Sequence, residues 1–358
     1  MKSYLNVAIV KPRNRACNLC CGYCYMENIA ASRFDDKSLM SLPTLKATID
    51  FFCAENKDVE FIWHGGEPLL AGKDFYQKAF EYQSDWLAKG KTISNYVQSN
   101  GVLIDESWAK FLAQINFLVG VSFDAPKEVH NIHRPKLSGQ PSADDVLRGI
   151  SLLKEKNIYN GLICCISRLN YKQEKEIIDF IRYNKLGPIK FARVKPQPSL
   201  NKIPIISHAE YSEFLQRVYD YWIEIDDSSI EIRDIKSVVD ILLGGNFREC
   251  TYLGNCRNFA TVYNDGAIYP CDCLEDNETS RFGTVFDRYK SIIHRKNFVS
   301  FSKAIKSSTN DCPACEWYSL CRGGCFYQSQ QPEAKEFCKA QKALFSKIAL
   351  SLKEFNLI

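Results

Sequence analysis

"RACNLCCGYCYM", residues 15–26, puts four cysteines into eight positions directly after a β-branched run, "LNVAIV" at 5–10. Two ligand sets are open. As two C-x2-C pairs, Cys17, Cys20, Cys21 and Cys24 make a tetrahedral zinc site. As C-x3-C-x2-C, Cys17, Cys21 and Cys24 hold a cubane iron–sulfur cluster and Cys20 is a bystander. Adjacent Cys20 and Cys21 would have to reach one ion from neighbouring backbone positions, which strains a compact zinc site. Three thiolates on a cubane leave one iron open to a substrate, and Tyr23, beside the last ligand, would shield one side of the cluster.

Outward from this loop, short β-branched and aromatic runs alternate with amphipathic stretches. The predicted strands are "LNVAIV" (5–10), "VEFIWH" (59–64), "ISNYVQS" (93–99), "FLVGVSFD" (117–124), "LICCIS" (162–167) and "IKFARV" (189–194). Predicted helices lie near 43–56, 74–89, 105–115, 142–156 and 171–185, and "HAEYSEFLQRVYDYWIEI" follows the sixth strand. Six strand–helix units predict a parallel sheet whose crossovers are closed by helices. Six falls short of the eight of a full barrel, so the expected fold is α/β, an open, partial (β/α)6 TIM-type barrel over residues 1–235. Barrel chemistry collects at the C-terminal ends of strands. The polar signatures lie there: the cysteine loop after the first strand, "HGGEP" ending the second, "QSNG" the third and "SFD" the fourth.

After about residue 245 the texture changes. Nine of the sixteen cysteines fall between 250 and 338, among turn signals such as "NDG" (264–266) and "RGG" (322–324). Residues 236–358 are expected to form a separate, cysteine-rich module with a C-terminal helix, stapled by metal because its own core is small.

The bulk numbers exclude several classes. The 358-residue chain is 46% hydrophobic and 25% charged, ordinary for a globular protein with a full core. A net charge of +4 is mild and gives no footprint for nucleic acid or an anionic membrane. "MKSYLNVAIVKPRNRAC" has a short apolar stretch ended by charges and no small-residue cleavage site, so it reads as neither signal peptide nor membrane span. A cytoplasmic location is expected, where sixteen cysteines argue for metal or redox chemistry rather than disulfides.

C-x3-C-x-aromatic-C after a first strand resembles the radical S-adenosylmethionine superfamily. The resemblance implies a [4Fe-4S] cluster on Cys17, Cys21 and Cys24 whose open iron binds S-adenosylmethionine. Gly65, Gly66, Glu67 and Pro68 resemble the family's GGEP segment, whose backbone and carboxylate hold the cofactor's ammonium; glycines permit that close approach. Ser122 in "SFD" and Arg134 in "HRP" resemble contacts to the cofactor carboxylate, which an arginine fork suits. Asn100 in "QSNG" resembles a position facing the ribose. Each of these three, taken singly, also suits a surface or capping role.

The C-terminal spacing is Cys250-x5-Cys256-x14-Cys271, then Cys312-x2-Cys315-x5-Cys321-x3-Cys325-x12-Cys338. It resembles the SPASM extension of radical enzymes that mature peptides and proteins. By that resemblance Cys250, Cys256, Cys271 and Cys325 hold one auxiliary [4Fe-4S] cluster, and Cys312, Cys315, Cys321 and Cys338 hold another. Four thiolates close each cluster, so both would carry electrons. A pair of zinc ribbons could use the same eight thiolates. Cys20, Cys53, Cys164, Cys165 and Cys273 are left over, with Cys53, Cys164 and Cys165 expected to be inert buried thiols.

"SNGVLIDESWAKFLAQINFLVGVSFDAPKEVHNIHR" (99–134) resembles the central segment of anaerobic sulfatase-maturating enzymes. These oxidise a cysteine or serine of a sulfatase to formylglycine. A reductant such as flavodoxin or ferredoxin feeds the first cluster, and the 5′-deoxyadenosyl radical takes a hydrogen from the substrate β-carbon. An aspartate then removes the thiol or hydroxyl proton while an auxiliary cluster accepts the second electron. Asp272, in "YPCDC", matches that aspartate; a turn cap is its alternative role. Met26 and His64 depart from the tyrosine and glutamine common there, which leaves the substrate less fixed. SPASM enzymes that mature ribosomal precursor peptides, forming thioether or carbon–carbon cross-links, are the rival reading, and "HNIHRPKLSG" is similar to segments of that group. The first strand begins by residue 5, so no leader-binding domain is expected ahead of it, which favours a sulfatase-type or leader-independent substrate. A non-catalytic iron–sulfur carrier or zinc-bound interaction module would need neither GGEP nor six strand–helix units.

Overall fold

Short apolar runs form buried parallel strands here because the helix after each run covers the sheet. The computed structural model describes residues 4–28, 38–196, 202–274, 278–309 and 311–358. Strands β1 (Val7–Val10), β2 (Asp58–Trp63), β3 (Thr92–Ser99), β4 (Leu118–Ser122), β5 (Tyr159–Ile166) and β6 (Ile189–Arg193) lie in the order β6-β5-β4-β3-β2-β1, each parallel to its neighbour. The crossovers carry α1 (Leu42–Glu55), α2 (Lys73–Leu87), α3 (Glu106–Gln114), α4 (Lys127–His133), α5 (Ala143–Glu155) and α6 (Glu174–Tyr183), and α7 (His208–Ile225) follows β6. All six predicted strands and all six predicted helices are present within a few residues of their expected positions. The sheet is open, with β6 at one end.

Local chemistry explains the helix starts. Ser41 Oγ accepts the Thr44 N–H at 3.2 Å ahead of α1, with a proline in its first turn, and Asp105 accepts the Trp108 N–H at 2.7 Å ahead of α3. Ser207 and Glu210 form a capping box on α7. In α6, Ile177, Ile178 and Ile181 share one stripe and are buried, each worth about 1.5–3 kcal/mol relative to exposure. Fully buried Trp63 donates its indole N–H to Asn95 at 3.0 Å, and Gln83 satisfies the rest of that amide, so a polar pair sits inside an aromatic core.

The expected break after residue 235 falls inside a helix, α8 (Arg233–Leu242), and the sheet does not stop there. Strand β7 (Phe259–Val262) pairs in parallel with β1, Val7 opposite Phe259 and Val10 opposite Val262. Antiparallel β8 (Ala267–Tyr269) and β9 (Gly283–Thr284) extend the sheet to nine strands. Without β7, β1 would be an edge strand with its outer backbone groups unpaired. The "NDG" signal is the β7–β8 turn, with Gly266 at φ +83°. Beyond it come α9 (Tyr289–His294), α10 (Lys296–Ser307) and α11 (Ala334–Glu354). Helix α11 seats Leu344, Phe345, Ile348 and Leu352 in the core and docks on α7, where Ser212 Oγ donates to the Ala340 carbonyl at 2.7 Å. Among the described residues no helix is long and apolar enough to cross a membrane.

Candidate functional site

Backbone hydrogen bonds hold the cysteine loop from both sides. The Gly66 and Glu67 N–H groups donate to the Asn14 and Ala16 carbonyls, both at 2.8 Å. On the other side the Cys20 N–H bonds the Pro135 carbonyl at 2.9 Å and the Gly22 N–H bonds the His133 carbonyl at 3.0 Å. Thus held, Cys17, Cys21 and Cys24 lie within electrostatic reach of one another, while Cys20 is exposed. Burial pushes the Cys17 thiol up to about 11 and Cys21 higher still. Three half-buried thiols within electrostatic reach of one another become thiolates at neutral pH when a metal centre displaces their protons, so the donor set fits a three-cysteine cluster.

The GGEP segment packs against this loop. A Cβ on Gly65 (φ +113°) would stand 2.5 Å from the Asn14 carbonyl oxygen, and one on Gly66 would stand 2.2 Å from that of Ala16. The Glu67 carboxylate takes its donors from the chain itself. It is buried and takes the Leu69 N–H (3.0 Å), the Ser99 hydroxyl (2.9 Å) and the Asn100 N–H (2.7 Å), tying the end of β3 to the segment. Pro68 is buried, and its carbonyl accepts the Tyr76 hydroxyl at 2.8 Å. Asn100 likewise turns its amide inward, to Asn18 Oδ1 at 2.7 Å and the Cys17 sulfur at 3.7 Å. Ser122 Oγ accepts from Gln98 Nε2 at 3.3 Å.

Burial raises Glu67 from the usual carboxylate range to about 7, its three donors offsetting part of the cost. The folded state then binds more proton than the unfolded one between about pH 4.5 and 7, so this group's contribution weakens as pH rises through that window. Thermal unfolding of the parent and of Glu67→Gln across pH 5–8 should show the parent falling relative to the variant; parallel profiles would count against the assignment.

Arg134 is paired within the protein. Its fork is engaged by Asp124, Nε at 2.9 Å from Oδ2 and Nη2 at 3.3 Å from Oδ1, with Nη2 also 3.6 Å from the Cys165 sulfur. Asp124 further accepts the Tyr23 hydroxyl at 2.5 Å, His133 Nδ1 at 3.0 Å and the Cys165 N–H at 2.7 Å. Tyr23 therefore stands beside the cysteine loop with its hydroxyl tied to the end of β4 and its ring edge-on to His133. Burial opposes ionisation of Asp124, but Arg134 and His133 outweigh it and hold the carboxyl well below its ordinary range. Removing one partner of such a buried pair strands the other. Asp124→Ala should lower unfolding free energy by about 3–5 kcal/mol in a denaturant titration, with Asp124→Leu/Arg134→Met recovering part of the loss.

Opposite the first cysteines, Asp272 meets residues from β1, β2 and the cysteine loop. The Tyr25 hydroxyl donates to Oδ2 at 2.7 Å, Lys11 Nζ lies at 3.8 Å and His64 Nδ1 at 3.9 Å. Lys11 is fully buried at the end of β1, also bonding the Tyr263 hydroxyl at 3.2 Å and the Met26 sulfur at 3.6 Å. Lys195 lies over the rings of Tyr25 (4.6 Å) and Tyr327 (4.8 Å). Burial lowers the His64 pKa and the Gly65 N–H points at its Nδ1 at 2.7 Å, so the ring faces Asp272 neutral and the lysines supply the counter-charge. Burial would raise Asp272; Lys11 and Lys195 override it and keep the carboxyl well below its usual range.

The nine C-terminal cysteines fall into two groups. Cys250, Cys256 and Cys325 lie within reach of one another and of Cys273, which is hydrogen-bonded to Cys271. Cys312, Cys315, Cys321 and Cys338 form the second group. Each offers four or more sulfurs, a donor set suited to a closed cluster.

Sequence reading missed Asp124, His133, Lys11, Tyr25, Lys195 and Cys273. "SFD" and "HNIHR" carried the first two, and Lys11 stands at a strand's C-terminal end, the place barrel logic singles out.

The chain is similar to known proteins over nearly its whole length. The model of the Radical SAM superfamily matches residues 12–181. A cysteine-type anaerobic sulfatase-maturating enzyme of Clostridium perfringens is 30% identical over 357 residues, covering 94% of each chain. A serine-type anaerobic sulfatase-maturating enzyme of Bacteroides thetaiotaomicron is 27% identical, covering 95% of this chain and 89% of that one. The solved structure of native anSMEcpe with bound AdoMet and the Cp18Cys peptide is similar at a TM-score of 0.86 and 27% identity, covering 98% of this chain and 99% of that one. This chain belongs to the radical SAM superfamily and, within it, to the anaerobic sulfatase-maturating enzymes.

Proposed function

We propose that this radical SAM enzyme oxidises a cysteine or serine side chain of a sulfatase to formylglycine. Cys17, Cys21 and Cys24 would hold the cluster that binds S-adenosylmethionine, and the two C-terminal groups would hold auxiliary clusters, three [4Fe-4S] centres in all. When bound, the first cluster and its cofactor supply a hydrogen-abstracting radical. A reductant such as flavodoxin or ferredoxin and a cytoplasmic setting go with this reading.

The observation that carries it is the placing of Asp272, walled by Lys11, His64 and Tyr25 and adjacent in sequence to Cys271. A carboxylate held anionic beside a sulfur ligand can take the substrate thiol or hydroxyl proton as an electron leaves toward the auxiliary cluster. Buried Lys11 orients the carboxylate, and Tyr25 fixes the oxygen it bonds. Between the strands and α8 lies a cavity of about 600 Å³, lined by Glu60, Tyr96, Gln98, Arg233, Arg248 and Glu249 among others. It reaches Gln98, the hydrogen-bond partner of Ser122.

The test is anaerobic turnover of synthetic peptides carrying the sulfatase cysteine or its serine counterpart, followed by mass spectrometry and trapping with a hydrazide. An aldehyde product, with sulfur lost from the cysteine peptide, is expected. Loss of two hydrogens with sulfur retained and no hydrazide adduct would point instead to a cross-link.

A further inference from the structure

Cys273 has no part in the reading above, yet its sulfur stands amid the first C-terminal group. Its Sγ, the Cys271 Sγ and an Asp272 carboxylate oxygen lie within 4.8 Å of one another. Cys273 also acts electrostatically on Cys250, Cys256 and Cys325. Five thiols thus surround a place with four corners to fill. The turn that brings the two sulfurs together is closed by the Leu274 N–H on the Cys271 carbonyl at 3.0 Å. Thiolates on two irons of a cubane stand apart across the cube, whereas thiolates on one metal centre are near neighbours. Within 4.8 Å, the Cys271 and Cys273 sulfurs are spaced as rivals for one corner.

We propose that Cys273 is an alternate fourth ligand of this auxiliary cluster, able to take the iron corner assigned to Cys271; this rests on the reading that Cys250, Cys256 and Cys325 hold a [4Fe-4S] cluster. The exchange is redox-neutral. One iron–sulfur bond breaks, one forms, and the proton of the incoming thiol goes to the outgoing thiolate. Lys195 makes a side-chain hydrogen bond to Cys273, so that sulfur has a donor when it is off the iron. Asp272 lies between the two cysteines, so a change of bonded sulfur resets its carboxylate against Tyr25 and Lys11 without changing the charge of the cluster.

The experiment compares anaerobically reconstituted parent, Cys271→Ala, Cys273→Ala and the double variant by iron per chain and by electron paramagnetic resonance of the reduced protein. Formation of 5′-deoxyadenosine reports that the fold and first cluster are intact. Cys273→Ala should keep the parental iron and signal, Cys271→Ala should keep the iron with one signal shifted, and the double variant, left with three thiolates and an open iron at that cluster, should either give a signal unlike that of Cys271→Ala or lose about four irons, one cubane. Loss of those irons in Cys271→Ala alone, or a double variant with the same iron and the same signal as Cys271→Ala, overturns the proposal. Cys271→Ser is the second probe: a signal like that of Cys271→Ala supports Cys273 at the corner, and an oxygen-ligated signal counts against it. Joint replacement of Cys250, Cys256 and Cys325 by alanine separates the two failures. If that variant holds as much iron as the parent, no cluster is bound there and the underlying reading fails.

Discussion

Replacing Cys17, Cys21 and Cys24 together with alanine is expected to abolish 5′-deoxyadenosine formation and remove about four irons per chain, one cubane. The loop should survive the change. Its position depends on the Gly66, Glu67, Cys20 and Gly22 N–H bonds and on Gly65 and Gly66 lying flat against it, none of which uses a thiol. Loss of activity with native thermal unfolding would therefore report lost chemistry rather than a lost fold. Cys20→Ala makes the contrast, because its side chain is exposed and should be dispensable. Cofactor cleavage persisting in the triple variant, measured by chromatography of the reduced reaction, would remove the first cluster from these residues.

Asp272→Asn is expected to lower product formation at least about 100-fold, the scale of a lost proton acceptor, while cofactor cleavage is largely retained. Asparagine keeps an oxygen for the Tyr25 hydroxyl and nearly the same volume, so the change removes charge and basicity alone. It also leaves the buried Lys11 ammonium facing a neutral group, which costs stability. Lys11→Met in the same background should restore part of that stability without restoring product. The parent carboxyl is held well below its usual range, so its ionisation should not limit product formation on mild acidification. A variant that made product at the parental rate would end the role of Asp272 as proton acceptor.

Much of this molecule was legible because its signals are local. A strand–helix unit shows its buried face within a dozen residues, as "EKEIIDFIRY" does with Ile177, Ile178 and Ile181, and a capping serine sits beside the helix it starts. The cysteine loop was readable for the same reason: C-x3-C-x2-C is one short segment, and "NDG" marked a turn that the chain makes.

What tertiary structure decided is which distant polar groups meet, since an intended partner leaves no trace in periodicity. Arg134 has the fork for a carboxylate, but packing gives that fork to Asp124, and Glu67 spends its oxygens on Leu69, Ser99 and Asn100. Lys11 and Asp272 lie far apart in the sequence and come together because β7 completes the backbone pairing of β1; a four-residue strand is too short to announce that by pattern. Cys273 looked like a remainder in the sequence, and only the turn folding it back onto Cys271 makes it a fifth sulfur at a four-cornered site.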